Sequence, residues 1–212
     1  MTSITSFAFN PFYENTYVVS AANGDCWIID PGCYTVKEQE KLVTFITDNG
    51  LKPVKLLNTH CHLDHIFGNA FIADKFNLKP EWHEKETTIA QNAKLAAMMF
   101  GVKAPEYRQP GAFLIPGDTL ELGDASFKIL FTPGHSPGSV TFYNEAEKFA
   151  IAGDVLFQGS IGRTDLPGGD YDTLIESIKR ELLALPDDVA VYNGHGAPTT
   201  IGQERLNNPF LR

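Results

Sequence analysis

The segment Asn58–His65, which reads NTHCHLDH, places three histidines and one aspartate within six residues. The chain has only six histidines in 212 residues, so half of them lie in this one segment. Imidazole nitrogen and carboxylate oxygen are common ligands of transition-metal ions, and both groups are costly to bury without a partner. The segment directly follows the apolar run VKLLN, which is typical of a buried strand. We therefore predict a metal site at the end of this strand.

Three further ligand-type residues also follow predicted strands. His135 comes after FKILF, Asp154 comes after FAIA, and His195 comes after DVAVY. Glycine or proline stands close to each of them, as is usual where a chain turns away from a sheet. Because loops at one end of a sheet commonly build binding sites, we expect these residues to converge on the histidine segment.

The candidate ligands divide into two groups that share one carboxylate. The first group is His60, His62 and His135, the second group is Asp64, His65 and His195, and Asp154 can bridge both. Three ligands per ion plus a shared carboxylate leave coordination positions open for water, which is typical of catalytic sites. Two ions about 3.5–4 Å apart can acidify one shared water and polarise a substrate oxygen. Asp64, which can also orient that water, and Asp154 are therefore the candidate catalytic residues.

The order of elements predicts an α/β fold. In the first half, short strands and a helix over TVKEQEKLVTFITDNG precede the histidine segment, and a helix near His65 and a helical stretch from Glu84 to Gly101 follow it. The second half restarts with strands (TLELG, SFKILF, SVTFYN, FAIAGD) and ends with the helix YDTLIESIKRELLAL and the strand DVAVYNG. This pattern favours two sheets packed face to face with helices outside. No polar linker separates the halves, so we predict a single domain over residues 1–212.

Composition and charge argue against several classes of partner. The net charge is −9 and no basic cluster is present, which disfavours nucleic acid and anionic membranes. No segment approaches the roughly 20 apolar residues of a membrane span, and the start MTSITSFAFN lacks the features of a signal peptide. Three irregularly spaced cysteines are typical of reduced thiols. We expect a cytoplasmic protein with a small-molecule substrate and no nucleic-acid or membrane partner.

The motifs THCHLDH, TPGHSPGS, AGD and GHG, in this order, resemble those of the metallo-β-lactamase superfamily. The resemblance implies a four-layer αββα sandwich, with two mixed sheets face to face, outer helices and a dinuclear metal site at the sheet edges. It also implies two divalent metal ions, with zinc preferred and iron or manganese as alternatives, since nitrogen and oxygen donors suit all three.

Within that superfamily, NPFYENTY, IIDPG, GDVLFQGSIGRTDLPGGD and GHGAPTTIGQERLNNPF are similar to the compact single-domain bacterial type II glyoxalases, or hydroxyacylglutathione hydrolases. The similarity implies hydrolysis of S-lactoylglutathione-type thioesters by a metal-bridging hydroxide. Longer members carry a further helical domain that holds glutathione, whereas 17 residues follow His195 here. We therefore expect weak dependence on the glutathione part of the substrate.

Two other functions remain open at this stage. A persulfide dioxygenase shares the sequence GRTD and the ligand motifs, but uses one iron held by two histidines and an aspartate. A non-catalytic metal-binding module would use the same ligands without turning over a thioester. Metal content and parallel assays of thioester hydrolysis and oxygen uptake separate these functions.

Several further residues lie near the motifs. Asp30, in IIDPG, either orients the ligand loop or caps a turn. Arg163 and Asp165, in GRTD, are expected to form a buried ion pair, with binding of a substrate carboxylate by Arg163 as the alternative. The helical segment KLAAMMFG is expected in the core, with a lid over the site as the alternative. Cys61 is expected to pack away from the metal, and His83 is expected at the surface.

Overall fold

The protein, described here by a computed structural model over residues 1–212, has two mixed six-stranded sheets. The strands of the first half are β1 (Thr2–Phe9), β2 (Glu14–Ala21), β3 (Asp25–Ile29), β4 (Lys52–Leu57), β5 (Pro80–Trp82) and β6 (Ala112–Phe113). Those of the second half are β7 (Thr119–Leu122), β8 (Ala125–Phe131), β9 (Val140–Asn144), β10 (Phe149–Gly153), β11 (Leu156–Phe157), β12 (Ser160–Ile161), β13 (Ala190–Asn193) and β14 (Thr199–Thr200). The sheet orders are β1-β2-β3-β4-β5-β6 and β14-β13-β10-β9-β8-β7, and β11 pairs with β12 in a small ribbon.

Seven α-helices lie outside these sheets or connect them. They are α1 (Val36–Asp48), α2 (Leu63–Ile66), α3 (Asn69–Phe76), α4 (Thr87–Gln91), α5 (Ala93–Phe100), α6 (Tyr171–Ser177) and α7 (Ile201–Asn207). A single 3₁₀ turn, Glu84–Glu86, precedes α4, and a π-helical turn, Ile178–Leu182, extends α6. None of these helices combines the length and the apolar character that crossing a membrane requires.

The central strands are apolar on both faces because both faces are covered. In β3, Trp27 and Ile29 pack with Phe127 and Phe142 of the second sheet, which forms the core between the sheets. The alternate residues of β3 belong to an outer core, which also holds Leu42 of α1. The second sheet has a matching outer core against α6 and α7. The predicted αββα sandwich is therefore confirmed.

Strand direction brings the predicted ligand loops to one end of the sandwich. Both β8 and β10 pair antiparallel with β9, and β10 pairs parallel with β13, so these three strands run the same way. Their carboxyl ends therefore open at one edge of the second sheet. A backbone hydrogen bond from Val140 N to Thr59 O, 2.9 Å long, joins that edge to the loop after β4.

The helical stretch expected from Glu84 to Gly101 is interrupted. The 3₁₀ turn, α4 and α5 replace it, and Asn92 stands between the two helices. The side chain of Asn92 donates to the carbonyl oxygen of Thr88 at 2.9 Å. An asparagine that bonds nearby backbone in this way competes with regular helix geometry, which accounts for the break.

We expect Trp27→Ala to destabilise the protein by about 3–5 kcal/mol, because removal of a large buried aromatic leaves a cavity. Trp27 is fully buried, and its ring lies 4.7 Å from that of Phe127 in the opposite sheet. Urea unfolding measures the change. The control, Leu206→Ala on the exposed face of α7, should change the free energy of unfolding by less than about 0.5 kcal/mol. Equal effects of the two substitutions would contradict this account of the core.

Candidate metal centre

Four strand ends bring the seven candidate ligands together. The segment after β4 supplies those from the first sheet, and β8, β10 and β13 lead to His135, Asp154 and His195. One ligand atom from each of His60, His62 and His135 lies within 4.8 Å of the others, and the same holds for Asp64, His65 and His195. The fold thus assembles both groups expected from the sequence, and Asp30 forms a third, fully buried group with His60 and His65.

Asp154 lies between the two groups. Its Oδ2 is 3.5 Å from Nε2 of His135 and 3.4 Å from Nε2 of His195. Its Oδ1 is 3.5 Å from Nε2 of His65. One carboxylate therefore faces ligand atoms of both groups, which is the geometry required of a bridge.

Four of the five histidines use Nδ1 to bond the protein, so that Nε2 remains for the centre. The partners of Nδ1 are the Oγ1 of Thr59 for His60 (3.1 Å), Asp30 Oδ2 for His65 (3.1 Å), Arg163 O for His135 (2.7 Å) and Phe12 O for His195 (3.0 Å). The Thr59 hydroxyl donates to Asp30 at 2.6 Å, so its oxygen accepts from His60. These contacts fix the tautomers in the form that metal-binding histidines adopt.

The donor atoms in the centre fit divalent metal ions. Nε2 of His60, Nε2 of His65 and Oδ1 of Asp154 are buried and have no hydrogen-bond partner in the protein. Buried polar atoms without partners are rare and call for an explanation, such as an ion. His62 has the opposite orientation: its Nδ1 faces Nε2 of His135 at 2.8 Å, and its Nε2 has no partner. Two ring nitrogens that converge in this way suit two ligands of one ion.

The electrostatics of the two groups differ. Burial lowers the pKa of His62 to about 3, and it also lowers the pKa values of His60 and His135. These imidazoles are therefore neutral, the form that binds metal. Burial alone would lower the pKa of His195, but hydrogen bonds to Asp154 and Asp64 outweigh it and raise that pKa to about 9.

The carboxylate of Asp154 is held in its ionised form. Burial opposes ionisation of Asp154, but the neighbouring histidines, His65 foremost, lower its pKa well below the usual value. An ionised carboxylate can offset positive charge from two sides, as a bridge between two dications requires.

Two glycines allow the ligands to approach each other. A Cβ at Gly194 would lie 2.0 Å from Oδ1 of Asp154 and 2.7 Å from Cε1 of His65. A Cβ at Gly153, which has a φ of +54°, would lie 2.3 Å from Oγ1 of Thr59. Both positions exclude larger side chains because ligand and supporting atoms occupy that space.

Asp30 makes hydrogen bonds that orient ligands of both groups. It accepts hydrogen bonds from the backbone N–H of Thr59 (2.7 Å) and from the hydroxyl of the same residue, and it also contacts Nδ1 of His65. Asp30 is 1% exposed and has a φ of +49°, a left-handed conformation that is uncommon for residues other than glycine. Its position matches the orienting alternative raised from the sequence.

The expectation of a buried Arg163–Asp165 pair is wrong. The two side chains form a bidentate pair with both distances 2.7 Å, but they are 55% and 67% exposed. Both lie in the loop after β12, and Arg163 lines the cleft above the ligands. Only the backbone of Arg163 turns inward, since its carbonyl oxygen accepts from His135.

The expectation that His83 lies at the surface is also wrong. The residue is 7% exposed, its ring stacks on Phe131 at 4.9 Å, and its Nδ1 accepts from the N–H of Lys85. It caps the 3₁₀ turn and stays outside the ligand groups. Cys61 is fully buried in an apolar cluster with Trp82, as its position between two ligands predicted.

Sequence patterns gave no signal for three buried polar residues around the centre. Glu86 accepts hydrogen bonds from both loops of the three-histidine group. Glu14 is fully buried, and its Oε1 lies 3.9 Å from Nδ1 of His65. Asn15 donates to the carbonyl oxygens of Asn193 and Gly196, on either side of His195. Their partners lie 25 to 181 positions away in the chain, which local motifs do not reveal.

An open cleft of about 1310 Å³ lies above the ligands. Candidate ligands that face it include His62, Asp64, His135, Asp154 and His195. One wall of the cleft consists of apolar residues from α4 and α5, namely Ile89, Met99 and Phe100. Phe157 and Leu166, from the second half of the chain, also line the cleft. The expectation that KLAAMMFG packs in the core is wrong for its large side chains, because Leu95, Met98 and Met99 are 60%, 72% and 73% exposed. The segment borders the cleft with Leu95, Met99 and Phe100, as its lid alternative required, whereas Met98 does not line it.

Residues 9–195 match the family model of the metallo-beta-lactamase superfamily. The chain belongs to this superfamily. The metallo-β-lactamase resemblance inferred from the four motifs is therefore confirmed, and with it a fold that binds divalent metal ions.

Two relatives of similar length are named as hydrolases. The chain is 40% identical over 203 residues to hydroxyacylglutathione hydrolase GloC of Haemophilus influenzae. The alignment covers 94% of this chain and 93% of the relative. It is 40% identical over 204 residues to the probable metallo-hydrolase YqgX of Bacillus subtilis, with 95% and 93% covered.

Solved structures of the superfamily agree in fold over the whole chain. The BLEG-1 B3 metallo-beta-lactamase is 36% identical, with a TM-score of 0.91 and 99% of each chain covered. TTHA1623 in a di-iron-bound form is 39% identical, with a TM-score of 0.89, covering 98% of this chain and 100% of the other.

We expect Gly194→Ala to abolish metal binding without unfolding the protein, because the added methyl group would displace Asp154 and His65. Metal analysis after reconstitution, together with circular dichroism, measures both properties. Gly50→Ala, after α1 and outside the centre, is the control: its methyl group would meet nothing within 4 Å, and although its φ of +62° disfavours alanine, metal content should stay at the wild-type level. Full metal binding by the Gly194→Ala variant would show that the ligand geometry is wrong.

Proposed function

We propose that the protein hydrolyses thioesters of the S-lactoylglutathione type with two divalent metal ions. The observation that carries the proposal is the position of Asp154 between two groups of three ligands at the floor of an open cleft. The 40% identity to GloC over nearly the full length of both chains supports the thioester class.

In this proposal, one ion would be held by His60, His62 and His135 and the other by Asp64, His65 and His195, and Asp154 would serve both. Zinc is the preferred metal, with iron or manganese as alternatives, because the donors are nitrogen and oxygen. When bound, the ions would supply an activated water nucleophile and polarise the thioester carbonyl. The di-iron form of TTHA1623 keeps iron among the metals to test.

The protein contributes orientation, charge and an open approach for the substrate. Asp64 faces the cleft, and its Oδ2 lies 3.3 Å from Nε2 of His195, so the carboxylate can orient a nucleophile as well as act as a ligand. The backbone carbonyls of Arg163 and Phe12 keep His135 and His195 aimed at the centre. Groups that are already oriented in this way need little rearrangement during a reaction, which lowers its activation free energy.

The leaving group also favours thioesters. The acidic side chains that line the cleft are Asp64 and Asp154, and both are candidate ligands. The cleft therefore offers no separate carboxylic acid to protonate a leaving group. A thiol ionises with a pKa of about 8.5, so it can leave as a thiolate without such a donor, whereas an amine cannot.

The cleft has few groups that would recognise glutathione. Its cationic side chains are Lys85 and Arg163, and Arg163 is already paired with Asp165. Glutathione carries two carboxylates and one ammonium group, and Lys85 is the one cationic side chain of the cleft that has no carboxylate partner. The apolar wall of α4 and α5 instead favours contact with the acyl and thiol chains themselves.

We expect the wild-type protein to bind close to two metal ions per chain and Asp154→Asn to bind about one. The amide keeps the shape of the bridge but loses the charge that offsets two dications. Elemental analysis after reconstitution with zinc measures the ratio, and His83→Ala, which lies outside both groups, should retain two. An Asp154→Asn variant that keeps two ions and normal turnover would contradict the bridging role. One iron in the wild type would favour the dioxygenase.

We expect S-lactoylglutathione and lactoyl thioesters of smaller thiols to be hydrolysed with kcat/KM values within about tenfold of each other, since few cations line the cleft. Chromogenic thiol release measures both rates. Oxygen uptake with a persulfide and hydrolysis of a β-lactam are parallel assays that should give no turnover. Strong preference for glutathione would reveal a recognition surface elsewhere, and turnover in either parallel assay would replace the proposed activity.

A further inference from the structure

The buried carboxylate of Glu86 stands apart from the candidate ligands but contacts both loops that carry the three-histidine group. Its Oε2 accepts the N–H of Cys61 at 2.7 Å, and Cys61 lies between His60 and His62. Its Oε1 accepts the hydroxyl of Ser136 and the N–H of Gly138, both at 2.6 Å. Ser136 directly follows His135 in the chain. Glu86 is therefore a link between two segments that are more than 70 residues apart in sequence.

The contacts of Glu86 are closed to water. The residue has no exposed surface, and neither do Cys61 and Ser136. Gly138 is part of the same arrangement: a Cβ there would lie 2.9 Å from Cγ of Glu86, so only glycine lets the loop come this close. A buried acceptor that receives three short hydrogen bonds constrains its donors strongly, because losing it would strand buried donors.

We infer that Glu86 is a positioning residue for the three-histidine metal site, acting through the backbone of Cys61 and the Ser136–Gly138 turn. The inference rests on the metal-binding part of the proposed function. It predicts asymmetry between the two sites, because Glu86 bonds only the loops of the three-histidine group, whereas Asn15 and Phe12 bond the backbone and the ring around His195 in the other group. Groups that orient ligands in this way typically change metal affinity by about 10- to 100-fold.

Glu86→Gln tests the link with little change in shape. Glutamine has one acceptor oxygen, so it can still accept from Ser136 and Gly138 but then presents an N–H₂ donor to the N–H of Cys61. The segment that carries His60 and His62 loses its constraint as a result. Glu84→Gln is the matched control because Glu84 lies in the same 3₁₀ turn but is exposed.

The experiment titrates metal-free full-length protein with Co²⁺ and Zn²⁺ against a chromophoric chelator. We expect Glu86→Gln to weaken one of the two metal-binding steps by about 10- to 100-fold, to leave the other unchanged, and to alter the Co²⁺ absorption of the weakened site. Glu84→Gln should match the wild type in both steps. Combining Glu86→Gln with His195→Ala, which removes a ligand of the other site, identifies which site has changed.

Wild-type affinity at both sites of folded Glu86→Gln protein would overturn the inference, and so would an equal loss at both sites. Equal loss is the result expected if Glu86 only stabilised the fold, and thermal unfolding of the metal-free variants checks that role directly. If Glu86→Gln does not fold, Ser136→Ala, which removes one donor to Glu86, decides the question. It should weaken the same step by a smaller factor, and an unchanged step would overturn the inference. A wild-type protein that binds no metal would instead contradict the proposed function.

Discussion

The hydrogen bonds between Asp30 and Thr59 fix the positions of the two ligand groups relative to each other. Asp30 directly follows β3 and accepts hydrogen bonds from both the backbone N–H and the hydroxyl of Thr59, in the loop after β4. Thr59 in turn orients His60 through its oxygen, and its carbonyl accepts the N–H of Val140 in the second sheet. The same carboxylate reaches His65. One buried side chain thereby connects both ligand groups to both sheets, and such networks are strong only when every member is satisfied.

The apolar sandwich supplies the stability that this arrangement requires. Core residues between the sheets, such as Trp27 and Phe142, and the outer cores under α1 and α6 bury apolar surface on both faces of each sheet. The free energy gained there offsets the cost of placing charged and polar groups at one edge, where they are only partly compensated by hydrogen bonds. The apolar residues that stabilise the fold therefore lie along the strands, whereas the candidate ligands lie just beyond the strand ends.

The sequence predicted the fold and the convergence of the ligands because both depend on patterns local to each strand. Apolar runs marked the strands, and His135, Asp154 and His195 followed their ends. The sequence failed where the conformation of a loop decides exposure, as at Arg163, whose side chain turns to solvent while its carbonyl turns inward. It also failed at Glu86, which stands among charged and polar neighbours and yet is fully buried. Hydrogen bonds across long stretches of chain arise only after folding, so no local spacing signals them.

Two residues contact the centre through their backbone and the cleft through their side chains. Phe12 and Arg163 offer their carbonyl oxygens to histidines, while their side chains line the cleft. A carbonyl oxygen is present whatever the side chain is, so the histidines keep their orientation when these positions change identity. Substitutions at these positions can therefore change the groups that face the cleft without removing the acceptors that orient His135 and His195. The shape of the cleft can vary independently of the ligand geometry beneath it.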